Sequence, residues 1–210
     1  KQKIIDSGVN ELQISIDGST KEVFEKIRNK SNFEKVVENC KLVNLYAKKV
    51  NKQVTKMWTV VQKDNIHQLE DLVELASELH FPSAVFSFDL GDWGQDDWTK
   101  INLDLRSNTI SYEQGMALRE KGAKLGVDVY FWYLDSKFDN KNLCPWPFER
   151  AYVSSDMRIV PCCMVANPDA KDLGDANKFS EEWNADEYQK FRKSHIEGDI
   201  PNFCKSCYVK

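Results

Sequence analysis

Two runs decide how the C-terminal part of this chain is read: Ser155-Asp156-Met157-Arg158-Ile159-Val160-Pro161-Cys162-Cys163 and, near the end, Cys204-Lys205-Ser206-Cys207. Of the six cysteines, all but Cys40 lie from Cys144 to Cys207. Pro145, Trp146, Pro161, Gly174, Trp183 and Pro201 stand among them. Such a region has few long apolar runs and little core of its own. Thiolates gathered on a metal meet that need, because metal-binding free energy becomes folding free energy. The closing Cys204-x-x-Cys207 lets one tight turn offer both sulfurs to one centre, a device used by zinc sites and iron–sulfur clusters alike. Cys144 and one of Cys162 and Cys163 complete a four-sulfur set; spacing alone does not choose between neighbours. Disulfides fit worse, since six cysteines in 210 residues are too sparse for a stapled secreted mini-domain. Buried free thiols suit Cys40 but not the clustered rest.

Composition excludes several classes. The length of 210 residues allows one or two domains, and 41% hydrophobic with 30% charged residues allows a packed core. A net charge of −4 lacks the basic footprint of a general nucleic-acid or anionic-membrane binder. No apolar run approaches the roughly 18 residues of a membrane span, and no signal peptide is visible. Thiols without a secretory signal point to a reducing cytoplasm. The chain does not start with methionine, so a fragment or a trimmed product is expected.

Upstream of the cysteines, Glu11 to Asp17 alternates strictly. Leu12, Ile14 and Ile16 point one way, and Gln13, Ser15 and Asp17 the other. In an α/β barrel the first set faces covering helices and the second the lumen; a half-exposed antiparallel strand alternates equally well. Gly18 turns the chain, and Ser19 with Glu22 reads as a capping box opening a helix. A second helix over about 33–48 carries Val36, Cys40, Val43 and Ala47 on one face, so Cys40 reads as core. Further strands are expected over 54–62, 83–90 and 127–133, with helices over 65–80 and from Ser111 to Gly126. Strand and helix alternation signals βαβ units and a parallel sheet. Residues 91–108 read as a long irregular stretch. Its Asp92, Trp93, Asp96, Asp97 and Trp98 make either a substrate loop or a merely solvated one. Gln62, Ser87 and Asp89 are candidate lumen residues or ordinary strand ends. His67, His80 and His195 show no ligand spacing and read as structural or exposed.

Cys144-Pro145-Trp146, the run 155–163, Leu173-Gly174-Asp175, Glu182-Trp183-Asn184, Glu187-Tyr188, Arg192 and the closing Cys204-Lys205-Ser206-Cys207 resemble a known pattern in order and spacing. It is the C-terminal auxiliary domain of radical SAM enzymes, of the SPASM or shorter twitch type. Met157 stands where that family has a turn glycine, and Asp175 where it has asparagine; neither change removes a ligand. The two-cluster form needs more cysteines than this chain has. The resemblance therefore implies one auxiliary [4Fe-4S] cluster on Cys144, Cys162, Cys204 and Cys207, with Cys162 preferred over Cys163 because it follows the proline. Zinc on the same four sulfurs is the alternative, giving a four-cysteine binding or structural module without redox activity.

The segment Glu11 to Gly18, with Phe24, Ile27 and Arg28, is similar to the fourth barrel strand and following helix of the same family. The fold this implies is α/β. A partial (half) parallel β/α barrel spans 1–135, and a small cysteine-rich SPASM/twitch-like auxiliary domain spans 136–210. By the same likeness Ser15, Asp17 and Arg28 contact S-adenosyl-L-methionine (SAM), the arginine through a bidentate pair with its carboxylate. The family's Cys-x3-Cys-x2-Cys loop, which binds the SAM-chelating cluster, has no counterpart here. The first half of the barrel is accordingly expected upstream of Lys1. The resemblance implies part of an enzyme that cleaves SAM to a 5′-deoxyadenosyl radical, with an auxiliary cluster that passes electrons or places substrate. It implies a peptide or small-molecule substrate, a reductant such as a flavodoxin or ferredoxin, and no activity from this chain alone.

Overall fold

Alternating strands and helices build a four-stranded, all-parallel sheet in the order β1-β2-β3-β4. The computed structural model describes residues 1–88, 90–91, 96–107, 109–133 and 137–208, the side chains of 96, 97 and 99 excepted. Asp89, Asp92 and Trp93, named above as candidates, lie outside the described residues. Strands β1 (Leu12–Ser15), β2 (Thr55–Val60), β3 (Ser83–Ser87) and β4 (Asp128–Trp132) alternate with helices α1 (Gln2–Asp6), α2 (Lys21–Ile27), α3 (Phe33–Lys49), α4 (Leu69–Glu78), α5 (Asp96–Leu105) and α6 (Tyr112–Leu125). The parallel pairing excludes the antiparallel reading of β1 and places it in an all-parallel sheet.

The chain divides into two units, one of Lys1–Leu90 with Leu105–Tyr133, the other of Gly91–Asp104 with Leu134–Lys210. In the first, strand order equals chain order. Right-handed crossovers then put successive helices on one face of the sheet. The core bears this out. Ile16, Met57, Val61, Ala84, Phe86 and Val129 from one sheet face pack with Phe24 of α2, Cys40 of α3, Leu72, Val73 and Ala76 of α4, and Leu118 of α6. A fully buried side chain of this kind contributes about 1.5–3 kcal/mol. On the other face one register row runs Ser15, Trp58, Val85, Tyr130, and Trp58 and Trp132 approach to 6.0 Å between ring centroids. Tyr130 and Trp132 are exposed.

Local signals account for some helix ends. Asn32 caps α3 by accepting from Lys35 N. Ser111 and Gln114 form a reciprocal capping box, and Gly126 ends α6 at φ 74°. Two expectations need correction. The cap of α2 is Thr20, whose Oγ1 accepts from Val23 N, and not Ser19. The Ser19 amide instead donates to Gln68 Oε1 across the unit, which pulls it one residue out of the capping geometry. The stretch 91–108 is not wholly irregular: α5 occupies Asp96–Leu105. Trp98, Ile101 and Leu105 stand at helical spacing, a signal hidden behind the Asp/Trp composition.

The second unit contains an antiparallel sheet of β5 (Tyr152–Val153), β6 (Arg158–Val160) and β7 (Gly174–Asp175). It also holds α5 except for its last residue, helices α7 (Trp146–Glu149), α8 (Phe179–Glu182) and α9 (Asp186–Ile196), and a closing 3-10 helix, Asn202–Cys207. Its core is small: Ile159, Leu173, Tyr188 and Phe191, with Trp183, Phe203 and Cys204 packed against it. Among the described residues, no helix is long and apolar enough to cross a membrane.

Candidate metal centre

Three elements of the second unit present the clustered cysteines. The 3-10 helix carries Cys204 and Cys207. At three residues per turn, positions i and i+3 eclipse, so both sulfurs stand on one edge. Cys204 N donates to Pro201 O at 2.8 Å, while the amides of Lys137 and Phe138 donate to Cys207 O at 3.0 and 3.1 Å. Cys162 follows β6, whose Ile159 and Val160 are fully buried. A tight reversal closes after it, Val165 N donating to Cys162 O at 3.1 Å. Cys144 precedes the single turn of α7, and its amide donates to the Tyr208 hydroxyl at 3.1 Å.

Exposure separates the neighbours. Cys162 is partly buried and Cys163 exposed. Burial pushes the Cys162 thiol up to about 12, against hydrogen bonds from the amides of Met164 and Val165. Burial also raises Cys144, opposed by the Trp146 amide and with Cys163 adding to the rise. Cys204 is driven well above its ordinary range by burial, then by Cys162, Cys144 and Cys207. The clustered thiols, Cys163 included through its effect on Cys144 and Cys162, thus act on one another through low-dielectric surroundings, which disfavour bare thiolates gathered together. A bound cation removes that penalty, and thiolate sulfur is the donor that iron–sulfur clusters and zinc prefer. The amides facing Cys144 and Cys162 stabilise sulfur as thiolate, the form that ligates. Among the described residues, no three metal-ligating side chains are drawn in to hold an ion as they stand.

The remaining motif residues hold this frame. Arg192 lies over the rings of Trp183 (4.6 Å) and Tyr188 (4.8 Å), and its Nε donates to Pro147 O at 2.8 Å. That ties the Cys144 segment to α9 through a cation–π stack. Arg158 pairs with Asp172, whose other oxygen accepts from Gly174 N. Asp175 accepts from Asn177 N at 2.9 Å, capping the 3-10 turn Ala176–Lys178. Nothing in the cysteine pattern singles out Tyr208 or His195. Their oxygen and Nδ1 lie 2.8 Å apart beside Cys144, and only the position of Tyr208 directly after the last cysteine hinted at it.

In the first unit, Asp17 and Arg28 come together and Ser15 does not join them. Asp17 is 2% exposed and accepts from Arg28 Nε at 2.5 Å and Val60 N at 2.8 Å. Burial raises its carboxyl, and Arg28 pulls the other way. Ser15 is exposed at the end of β1. Gln62 and Ser87 are buried in the strand ends, Ser87 O accepting from Val61 N. Asn65, overlooked in the sequence, holds this edge. It is fully buried, donates to Asp17 O and Val60 O, and accepts from Gln62 N.

No curated protein matches the chain. Residues 144–208, which hold every cysteine except Cys40, match the family model of the SPASM domain, an iron–sulfur cluster-binding domain, as expected for the C-terminal SPASM domain of a radical SAM enzyme.

Proposed function

We propose that this chain supplies the auxiliary-cluster part of a radical SAM enzyme and binds one [4Fe-4S] cluster through Cys144, Cys162, Cys204 and Cys207. The SPASM match over 144–208 carries the reading. Cys204, raised by burial and then by Cys162, Cys144 and Cys207, supports it, and Cys163 is the exposed neighbour. We place the domain boundary near 135, although Gly91–Asp104 groups with the second unit, and read the parallel sheet before it as part of the enzyme's β/α barrel. When bound, the cluster supplies electron transfer or a substrate anchor for radical modification of a peptide or small molecule. The chain's own residues do the holding. The 3-10 helix aligns two sulfurs, the turn after β6 aims the third, and Arg192 and Tyr208 fix the segment bearing the fourth. At the sheet edge Arg28, steadied by Asp17, is the group proposed to meet the SAM carboxylate. The SAM-cleaving cluster is placed outside these residues, which carry no Cys-x3-Cys-x2-Cys run. The working compartment is a reducing cytoplasm.

The test is metal content after anaerobic reconstitution. About four irons and four sulfides per chain are expected, with a broad absorbance near ~400 nm. Cys162→Ala should lose the cluster, and Cys163→Ala should keep most of it. A chain that holds one zinc and never takes up iron rejects the reading; the reverse order of the two variants rejects the ligand assignment alone.

A further inference from the structure

Beside the ligand set stands a buried polar pair that packing alone does not require. Tyr208 is 7% exposed and His195 1%. The Tyr208 hydroxyl oxygen accepts the Cys144 amide hydrogen at 3.1 Å and lies 2.8 Å from His195 Nδ1. With its oxygen accepting from an amide, the phenol has its own proton left to donate, and Nδ1 is the acceptor at hand. His195 is then the Nε2–H tautomer. That Nε2 is buried and has no hydrogen-bond partner among the described residues. Both rings are held by neighbours: Phe191 meets His195 edge-on at 4.9 Å, and Phe138 lies 5.8 Å from Tyr208.

A phenylalanine at 208 fills the same ring space without burying a hydroxyl, and an apolar residue at 195 avoids an orphaned ring nitrogen. Both polar groups carry a burial cost that the small core does not demand. What they deliver is a fixed acceptor for one amide, the amide of Cys144. Elsewhere in this site amides turn to sulfur, Trp146 toward Cys144 and Met164 and Val165 toward Cys162. The Cys144 amide is kept on oxygen instead. We propose that Tyr208, oriented by His195, is a positioning residue of the metal centre. It fixes the Cys144 end of the ligand set and withholds one N–H···S hydrogen bond from it. This inference rests on the iron–sulfur reading above.

Hydrogen bonds to ligand sulfur stabilise the more negative, reduced cluster and so raise its potential. The experiment compares anaerobically reconstituted wild type with Tyr208→Phe, His195→Leu and His195→Asn. Iron per chain, midpoint potential and the rate of iron loss to a chelator are measured. Tyr208→Phe removes no ligand and should load iron. Its potential should rise, and iron should leave about tenfold faster, the effect of one lost hydrogen bond. His195→Leu should behave alike, while His195→Asn, which keeps an acceptor near the place of Nδ1, stays close to wild type. A role in packing alone leaves the potential unmoved, and an unchanged potential in Tyr208→Phe overturns the proposal. Should Tyr208→Phe fail to fold, the two His195 variants decide it by the same readout. If the wild type takes up no iron, the iron–sulfur reading fails and this inference with it; if the wild type loads and the variants match it, only this inference falls.

Discussion

Met157 sits at φ 62°, in the left-handed region that costs an L side chain roughly 1–2 kcal/mol. The turn it closes explains why. Met157 N donates to Ser154 O at 3.1 Å, and Met157 O accepts from Ala176 N at 2.9 Å, so the backbone there is fully engaged. The side chain gains little in return, being 45% exposed. A glycine, the residue that the SPASM resemblance places there, removes the strain but adds freedom to the unfolded chain worth about 0.5–1 kcal/mol. Met157→Gly should therefore stabilise the second unit by about 0.5–1 kcal/mol in chemical denaturation. A destabilised variant would show that the methionine makes contacts worth more than its strain. Asp175, the other departure, keeps its role, because capping Asn177 N needs only a side-chain acceptor. Cys40 behaves as its helical spacing implied, 2% exposed and pushed by burial up to about 11, an inert core thiol.

At the scale of elements, the connection from β1 to α2 shows what pattern reading reaches and where it stops. Gly18 was legible as a turn, but the reason for glycine lies in three dimensions. A Cβ there would stand 2.5 Å from Phe24 N and 2.9 Å from Phe24 Cα, the backbone of α2 itself. Backbone cannot step aside as a side chain can. Gly18→Ala should cost about 2–3 kcal/mol in urea unfolding, at the upper end of overpacking effects; a loss under about 0.5 kcal/mol would mean that α2 shifts freely. The displaced cap has the same origin. Ser19-x-x-Glu22 is a sound local signal, overruled because Gln68, far along the chain, takes the Ser19 amide. Asn65 was missed for a like reason: two of its hydrogen bonds stay within five residues, but the one that ties it to the candidate Asp17 spans 48. Periodicity did reach α3 and α4, cap signals reached α6, and the alternation of strands with helices reached the parallel pairing. In α5 the helical spacing of Trp98, Ile101 and Leu105 stands within an Asp/Trp-rich composition that reads as loop.

For the whole molecule, the cysteine spacing made the second unit legible, since a Cys-x-x-Cys on a 3-10 helix and a proline-cysteine after a hairpin are local devices. The clamp of Tyr208 and His195 was not legible, being a contact between distant positions. The proposed ligand set also bears on what the molecule can do by itself. Reductive cleavage of SAM needs an iron with an open position, which three-cysteine ligation leaves and four-cysteine ligation fills. If Cys144, Cys162, Cys204 and Cys207 all ligate, no such opening remains. The sheet edge offers little compensation. Arg28, held through Nε by Asp17 at 2.5 Å, is a single contact for SAM, and Ser15 stands apart from that pair. Chemistry of this kind tolerates little misplacement, an error of ~1 Å already costing about a hundredfold. The reconstituted chain, given SAM and dithionite, should therefore release no 5′-deoxyadenosine beyond background. Repeated turnovers would mean that one of the four cysteines leaves its iron free, and Cys163→Ala would then separate a ligand exchange between Cys162 and Cys163 from a truly open site.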